Sequence, residues 1–369
     1  MGIVIIRFKP YVKVLLNESN KEVILSRPMK DGDHGDKYEL SDMGLEMIRY
    51  LVQGISRQKL IENLKLESQD EKTEFEEILE LLTSMKYIGY EEENANEKYK
   101  DIEQIYGRLI PLWGEIETKD MNRYDIQKSI MSKKVGIIGC GTIGMGIISK
   151  LVTVGIGNFV LVDNDVVSRT NLTRQCSFTL KDIGKSKVEV AKKFIQERLE
   201  NNKIDIYNKK ITSVEDLNVM DDVDIIVVAS DEQQVDTIIQ KYSIHTGIAV
   251  SYSGGYTGNT GKIFPVIIPN INHQYDCIID YLQRVEGKST EGYREINNGF
   301  KVSSNSSISE FISSIASFEI IKFLTGTTSP YLMDKVLFFN FSNYGIEEIT
   351  IDNAHCSCIR NGSLPLLQS

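Results

Sequence analysis

The sequence predicts an α/β protein: a Rossmann-like, mostly parallel sheet with helices on both faces, preceded by a small winged-helix-like α+β domain. Three observations carry this. From residue 134 onward, strand-sized apolar runs alternate with helix-length amphipathic ones. Gly139-Cys140-Gly141-Thr142-Ile143-Gly144 stands directly between one such strand and the helix that follows. The amino-terminal ninety residues show an alternating pattern that gives way to a helical one and closes on a short strand.

The 369 residues, 41% of them hydrophobic, are enough to bury a full core and form two units. The longest uncharged apolar stretches, such as Val223 to Ser230, are strand-sized, so no membrane span is expected. Arg7, Lys9 and Lys13 follow a short Ile-Val-Ile-Ile run without the segments of a signal peptide, which points to a cytoplasmic protein. A net charge of −10 repels a phosphate backbone, and nucleic acid is not the expected partner. Five cysteines spread from Cys140 to Cys358 read as reduced thiols rather than a disulfide framework.

In order along the chain, residues 4 to 26 alternate and turn at Asn17-Glu18-Ser19-Asn20, which predicts a β-hairpin. The loop around Asp31-Gly32-Asp33-His34-Gly35 ends it. Ser41 is an N-cap for a helix marked by Leu45, Ile48, Leu51 and Val52 and stopped by Gly54. Ser56 to Leu64 and Lys72 to Met85 repeat the helical spacing, and Tyr87 to Tyr90 reads as a closing strand. The charged run Glu91 to Lys98 lacks large apolar groups and reads as a linker or helix start, which divides the chain into domains 1–92 and 93–369. Beyond it, strands are expected at Lys134–Ile138, Phe159–Val162, Val223–Ala229 and Ile248–Tyr252. Helices are expected from the glycine run to about Thr153 and across Lys185–Leu199.

Glycines at 139, 141 and 144 allow a tight turn and close approach of backbone N–H groups to phosphate, at a helix end that favours negative charge. Nineteen residues past Gly144, Asp163 closes the next strand, where a carboxylate accepts hydrogen bonds from ribose hydroxyls. These features alone point first to NAD-dependent hydride transfer. The stretch from Asp163 to Gln175, followed by Gly184-Lys185-Ser186-Lys187, has no use in a dehydrogenase, and no hydride-relay residue is evident.

The glycine run, Asn171-Leu172-Thr173-Arg174-Gln175, the Gly-Lys-Ser-Lys-Val-Glu run at 184–189 and the Ser230-Asp231 pair resemble the ThiF/MoeB (ubiquitin-activating-like) superfamily over about residues 100 to 350. The resemblance implies an ATP-dependent adenylyltransferase. It implies that Gly139, Gly141, Gly144, Asp163, Asn171, Arg174 and Lys187 bind ATP, Asp163 at the ribose and the last three at the phosphates. Asp231 then organises Mg2+. It further implies a homodimer in which Arg108, after Tyr106-Gly107, reaches the partner's site, although Ile105 replaces the first arginine of that motif. The chemistry asks for such groups: attack of a carboxylate on the α-phosphorus brings anions together, and fixed cations must hold them. The plain alternative is that Arg174 and Lys187 are solvated surface charges and Asp231 a helix cap.

No cysteine lies in 283–302, where a thioester-forming relative is expected to carry its nucleophile, and Cys140 and Cys176 read as packing residues. Family members with structural zinc hold it by two Cys-x-x-Cys pairs. Here Cys277 stands near His273, and the second pair has become His355-Cys356-Ser357-Cys358, leaving both a rearranged zinc site and a metal-free tail open. The small first domain resembles the leader-recognition domains of enzymes that modify ribosomally made peptides. An edge strand within Tyr11–Leu16 would receive the peptide, and Gly254-Gly255-Tyr256 would lie near its reactive end. A structural or dimerisation appendage is the alternative, and DNA reading is disfavoured by the acidic stretch Glu62–Glu97. The expected function is adenylylation of a carboxyl on a precursor peptide, with capture of the activated group within the peptide. A sulfur-carrier-activating enzyme and an inactive peptide-delivery scaffold are the rivals.

Overall fold

A computed structural model describes residues 3–27, 35–92, 95–118, 121–230, 233–286 and 303–352. The chain divides into two compact units, Met1–Asp125 and Ile126–Ser369.

In the first unit, β1 (Val4–Phe8) pairs antiparallel with both β5 (Ile55–Ser56) and β6 (Ile88–Glu92). A second antiparallel sheet has the order β2 (Lys13–Asn17), β3 (Glu22–Ser26) and β4 (Asp36–Glu39). The expected hairpin is therefore β2–β3, while the first strand joins the other sheet. Three helices, α1 (Asp42–Gln53), α2 (Arg57–Leu64) and α3 (Gln69–Ser84), each start at a serine whose hydroxyl accepts a backbone N–H. Met47, Ile48, Leu51, Leu60, Phe75 and Leu79 turn inward to meet Ile6, Val23, Leu25 and Ile88 in one core.

The division at 125/126 falls beyond the boundary expected at 92/93. The intervening helices α4 (Ala95–Lys98), α5 (Lys100–Tyr106) and α6 (Ile110–Ile116), with the start of α7 (Arg123–Ser132), are tied into the first unit. The Lys9 ammonium pairs with Glu117 at 2.6 Å and donates to the Gly114 carbonyl at 3.1 Å. The Arg123 guanidinium, 4% exposed, pairs with Glu91 and lies 3.6 Å from Glu117. Composition marked the linker, but the partners of these charges are far apart in sequence.

In the second unit, a six-stranded sheet runs β14-β11-β10-β7-β8-β9. Its strands are β7 (Lys134–Ile138), β8 (Asn158–Val162), β9 (Lys203–Tyr207), β10 (Ile225–Val228), β11 (Ala249–Tyr252) and β14 (Val266–Ile267). All pair in parallel except β14, which runs antiparallel to β11. Four of these strands are buried at almost every position, as a sheet covered on both faces requires. The helices between them are α8 (Thr142–Thr153), α9 (Lys187–Gln196) and α10 (Gln233–Thr246). Four further strands, β12 (Gly255–Thr257), β13 (Thr260–Ile263), β15 (Lys335–Asn340) and β16 (Gly345–Thr350), form an antiparallel sheet the sequence reading had not placed. Between them in sequence lie α11 (Tyr275–Glu286) and α12 (Ser306–Thr325).

Helix α12 fixes α8. Ser309, Ser313 and Ser317 recur every four residues on one buried face and return their hydroxyls to carbonyls of their own helix. A Cβ on Gly146 would stand 2.4 Å from Ser313 Oγ, so the close approach of the two helices needs glycine there. Among the described residues, no helix is long and apolar enough to cross a membrane.

Replacing Arg123 with Ala should leave Glu91 as a half-buried unpaired carboxylate, while Glu117 keeps Lys9, and should destabilise the first unit by ~3 kcal/mol. Urea unfolding of wild type and variant at pH 7 measures this, and an unchanged midpoint would show the ion cluster to be idle.

Candidate functional site

At the carboxyl ends of β7, β8 and β10 lies a cavity of about 700 Å³. Its wall includes Gly139, Gly141, Asp163, Asn171, Arg174 and Lys187, so the fold collects residues spread over nearly fifty positions. The three glycines have separate physical roles. Gly139 has φ +95°, and a Cβ there would meet the Ala229 carbonyl oxygen at 2.6 Å. At Gly144, which is not in the cavity wall, a Cβ would stand 1.9 Å from the Gly139 oxygen, which seats the first turn of α8 against the loop. Gly141 is the N-cap of α8, makes no side-chain cap, and faces open space. The first N–H groups of α8 therefore stand uncapped at the cavity, where an anion is favoured.

Asp163 closes β8. Its Oδ2 accepts the Cys140 N–H at 2.7 Å and its Oδ1 accepts the Asp165 N–H at 2.7 Å, which locks the carboxylate beside the glycine loop. Burial pushes its pKa up, against the pull of these N–H groups and of Lys187. The loops carrying Asp165 and Lys187 are braced together: Val166 bridges Ser186, and the Lys187 N–H donates to the Asp165 carbonyl at 3.0 Å. This sets the Lys187 ammonium, 7% exposed, 2.7 Å from an Asp165 carboxylate that is mostly in solvent. Asn171 is buried in a short 3-10 turn, Arg169–Thr173, where its Oδ1 accepts the Ser168 N–H at 2.9 Å. The half-buried Arg174 ends that turn and donates from one guanidinium nitrogen to the Thr170 carbonyl at 3.0 Å. Both cations are thus held at the cavity by local backbone geometry rather than scattered over the surface.

Two sequence expectations are not among the described residues of the cavity wall. Asp231 lies outside the described residues, directly after Ser230 of the cavity wall. Arg108 belongs to the first unit, where it is exposed in the turn between α5 and α6. The cavity also recruits Lys209, Lys210, Gln175, Tyr256, Ser303 and Ser304. The two lysines come just after β9, separated from it by Asn208, and that position was the available signal. Ser303 and Ser304 join only through the tertiary fold, with Tyr256 hydrogen-bonded through its hydroxyl to Ser304. Gly254, at φ +84°, allows the chain to pass where a Cβ would meet the Lys262 carbonyl oxygen at 2.0 Å.

The cysteines divide. Cys140 is fully buried, and burial raises its pKa well above the usual thiol value, which fits a packing role. Cys176 is exposed, which corrects its reading as a packing residue: the turn at Arg174 directs it outward. Cys277 is half-buried, and His273 Nδ1 lies 2.6 Å from Asp334 Oδ1. His355, Cys356 and Cys358 lie outside the described residues, and among those described no three His, Cys, Asp or Glu side chains converge as a metal site.

A parallel sheet with an uncapped, glycine-lined helix start, a fixed carboxylate and two cations around one cavity defines a nucleotide-binding α/β protein. The chain belongs to the ThiF family, whose model matches residues 106–359, and by family it is an adenylyltransferase. It is 26% identical over 260 residues to a probable molybdopterin-synthase adenylyltransferase of Porphyra purpurea, covering 64% of this chain and 67% of that one. It is 28% identical over 158 residues to the sulfur carrier protein ThiS adenylyltransferase of Bacillus subtilis, covering 42% of this chain and 46% of that one. The chain thus spans between about half and two thirds of the length of these two relatives. Its fold matches that of E. coli MccB solved with ATP at a TM-score of 0.73 and 21% identity, covering 96% of this chain and 100% of that one. PaaA matches at 0.69 and 18% identity, covering 93% and 99%.

Two measurements check the local physics. Gly144→Ala should cost ~1–3 kcal/mol by forcing α8 off its loop, while Gly141→Ala should stay within ~0.5 kcal/mol, both read by urea unfolding. Asp236, on α10 beside the cavity residue Val235, has its pKa pushed up to about 6, first by burial and against a hydrogen bond from Tyr275. Its folded value lies above its ordinary 3.8, so its contribution to stability is complete below pH 3.8 and is lost as pH rises through about 6. The loss should be on the order of 1 kcal/mol after screening, and Asp236→Asn should remove it from a stability profile between pH 4 and 8.

Proposed function

We propose that this protein uses MgATP to adenylylate a carboxyl group on a ribosomally made precursor peptide, with the activated carboxyl then captured by a group within the same peptide. The observation that carries the reading is the cavity itself, in which an uncapped helix start, Asp163, Arg174 and Lys187 meet. The carboxylate oxygen attacks the α-phosphorus, the bond from that phosphorus to the bridging oxygen breaks, and pyrophosphate leaves. The α8 N–H groups and the two cations hold charge on the transferring and leaving groups. Asp163 holds the ribose. Magnesium, when bound, offsets phosphate charge, and the oxygen ligands that suit it are offered by Asp231. Arg108 would complete the partner's site in a homodimer.

The peptide assignment draws support from two sides. One structural neighbour is described as a microcin C7 biosynthetic enzyme, MccB, in complex with N-formylated MccA. In the first unit, β2 is an edge strand of its sheet, with Leu15 48% exposed, and an extended peptide can add to such an edge through backbone hydrogen bonds. A second reading, activation of a sulfur-carrier protein, is favoured by the names of the curated relatives.

ATP-pyrophosphate exchange distinguishes them. Exchange stimulated by a short precursor peptide supports the first reading, and exchange stimulated only by a small ubiquitin-like carrier supports the second. Arg174→Ala, Lys187→Ala and Asp231→Ala should each lower exchange by about 10²–10³-fold. Lys187→Ala leaves only the exposed Asp165 unpaired, so its folding should survive. Exchange indifferent to all three would remove the site assignment.

A further inference from the structure

Gln175 has a chemical capacity that the adenylylation reading leaves unused. Its side chain is 5% exposed, it lines the cavity, and its amide oxygen has no hydrogen-bond partner. Gln175 is the one residue of the cavity wall that carries a buried, unpartnered side-chain atom among the described residues. The backbone fixes the residue without help from the amide: its N–H donates to the Asn171 carbonyl at 2.8 Å, in the turn that carries Arg174. A buried acceptor without a donor costs about 1–3 kcal/mol, so a chain that keeps one at a binding cavity points to a ligand that satisfies it.

The nature of that ligand follows from donor and acceptor chemistry. A triphosphate and a carboxylate present acceptors to the protein, and Arg174, Lys187 and the α8 N–H groups meet them. The hydroxyl donors of a ribose are matched by Asp163. The N–H donors left for an uncharged acceptor are the exocyclic amine of adenine, at the far end of the nucleotide from the phosphates, and the N–H next to the carboxyl of the acyl substrate, which comes to the phosphate end where Arg174 lies. The same cavity offers further neutral polar groups in Tyr256, Thr257 and Ser304, which suit a peptide chain better than a polyphosphate.

We infer that Gln175 is a specificity-determining residue whose amide oxygen accepts the N–H adjacent to the carboxyl being activated, so that the site selects an N-acylated amino acid unit over its hydroxy-acid counterpart. Gln175 makes and breaks no bond. The inference rests on the adenylyl-transfer reading and deepens it by naming the group that the substrate must present.

The test uses stable mimics of the acyl adenylate. Adenosine 5′-sulfamate is acylated with either N-acetylglycine or O-acetylglycolate, a pair that differs only in N–H against O, and each is titrated into the full chain by calorimetry alongside AMP-CPP. Wild type should bind the N–H compound about five- to tenfold more tightly. Gln175→Met, close in volume, should abolish that preference while leaving AMP-CPP affinity within about twofold and the melting temperature unchanged or raised, since it removes the unpartnered acceptor. Gln175→Glu, which keeps an acceptor, should retain the preference. The inference is overturned by an absent preference in wild type, by a preference that persists in Gln175→Met, or by AMP-CPP weakening in parallel with both mimics, which would make Gln175 a nucleotide ligand. Failure of wild type to bind AMP-CPP would refute the adenylyl-transfer reading itself and is distinct from all three.

Discussion

The second unit is organised around a turn that tolerates no side chain. Between β7 and α8, a Cβ on Gly139 would stand 2.6 Å from the Ala229 carbonyl oxygen, and α8 seats on the loop only because Gly144 is bare. That contact aligns the helix axis with the end of the sheet and leaves its first N–H groups facing the cavity. Asp163 then locks the loop from the neighbouring strand by accepting the Cys140 N–H. If the turn shifts, the helix end, the carboxylate and the cavity floor shift with it.

Around this turn the cations are placed by bracing rather than by chance. The bridge between Val166 and Ser186 brings two loops together, and Lys187 is held against Asp165 at the cavity with most of its side chain out of water. The ammonium is thereby buried while its carboxylate partner stays mostly in water. Asn171 shows the same economy, since one atom of its amide holds the turn while the residue lines the cavity. The packing of α12 on α8 through Gly146 and Ser313 stabilises the arrangement from the other side.

The first unit follows a different logic. Its sheets are antiparallel and short, and its stability draws on a buried charge cluster of Lys9, Arg123, Glu91 and Glu117 as well as on an apolar core. The cluster ties strands near the amino terminus to the helical segment that contains Arg108. Within its second sheet, β2 is an edge strand among the described residues.

The sequence by itself determined whatever depends on neighbours a few residues apart. The glycine run, the Ser41 and Ser56 helix starts and the buried strands were legible because turns, caps and periodicity are local, whereas the third helix begins at Gln69 rather than at the expected Lys72, and Asn171, Arg174 and Lys187 were singled out by family resemblance. Tertiary structure alone decided which distant groups share a wall. It brought Lys209, Lys210, Ser303 and Ser304 to the cavity, assembled the antiparallel sheet from strands as far apart as β12 and β16, and carried residues 93–125 into the first unit. It also left the Gln175 amide oxygen buried without a donor. The reason is physical: no local pattern encodes the long-range packing that sets which polar atoms lose water and which partners replace it.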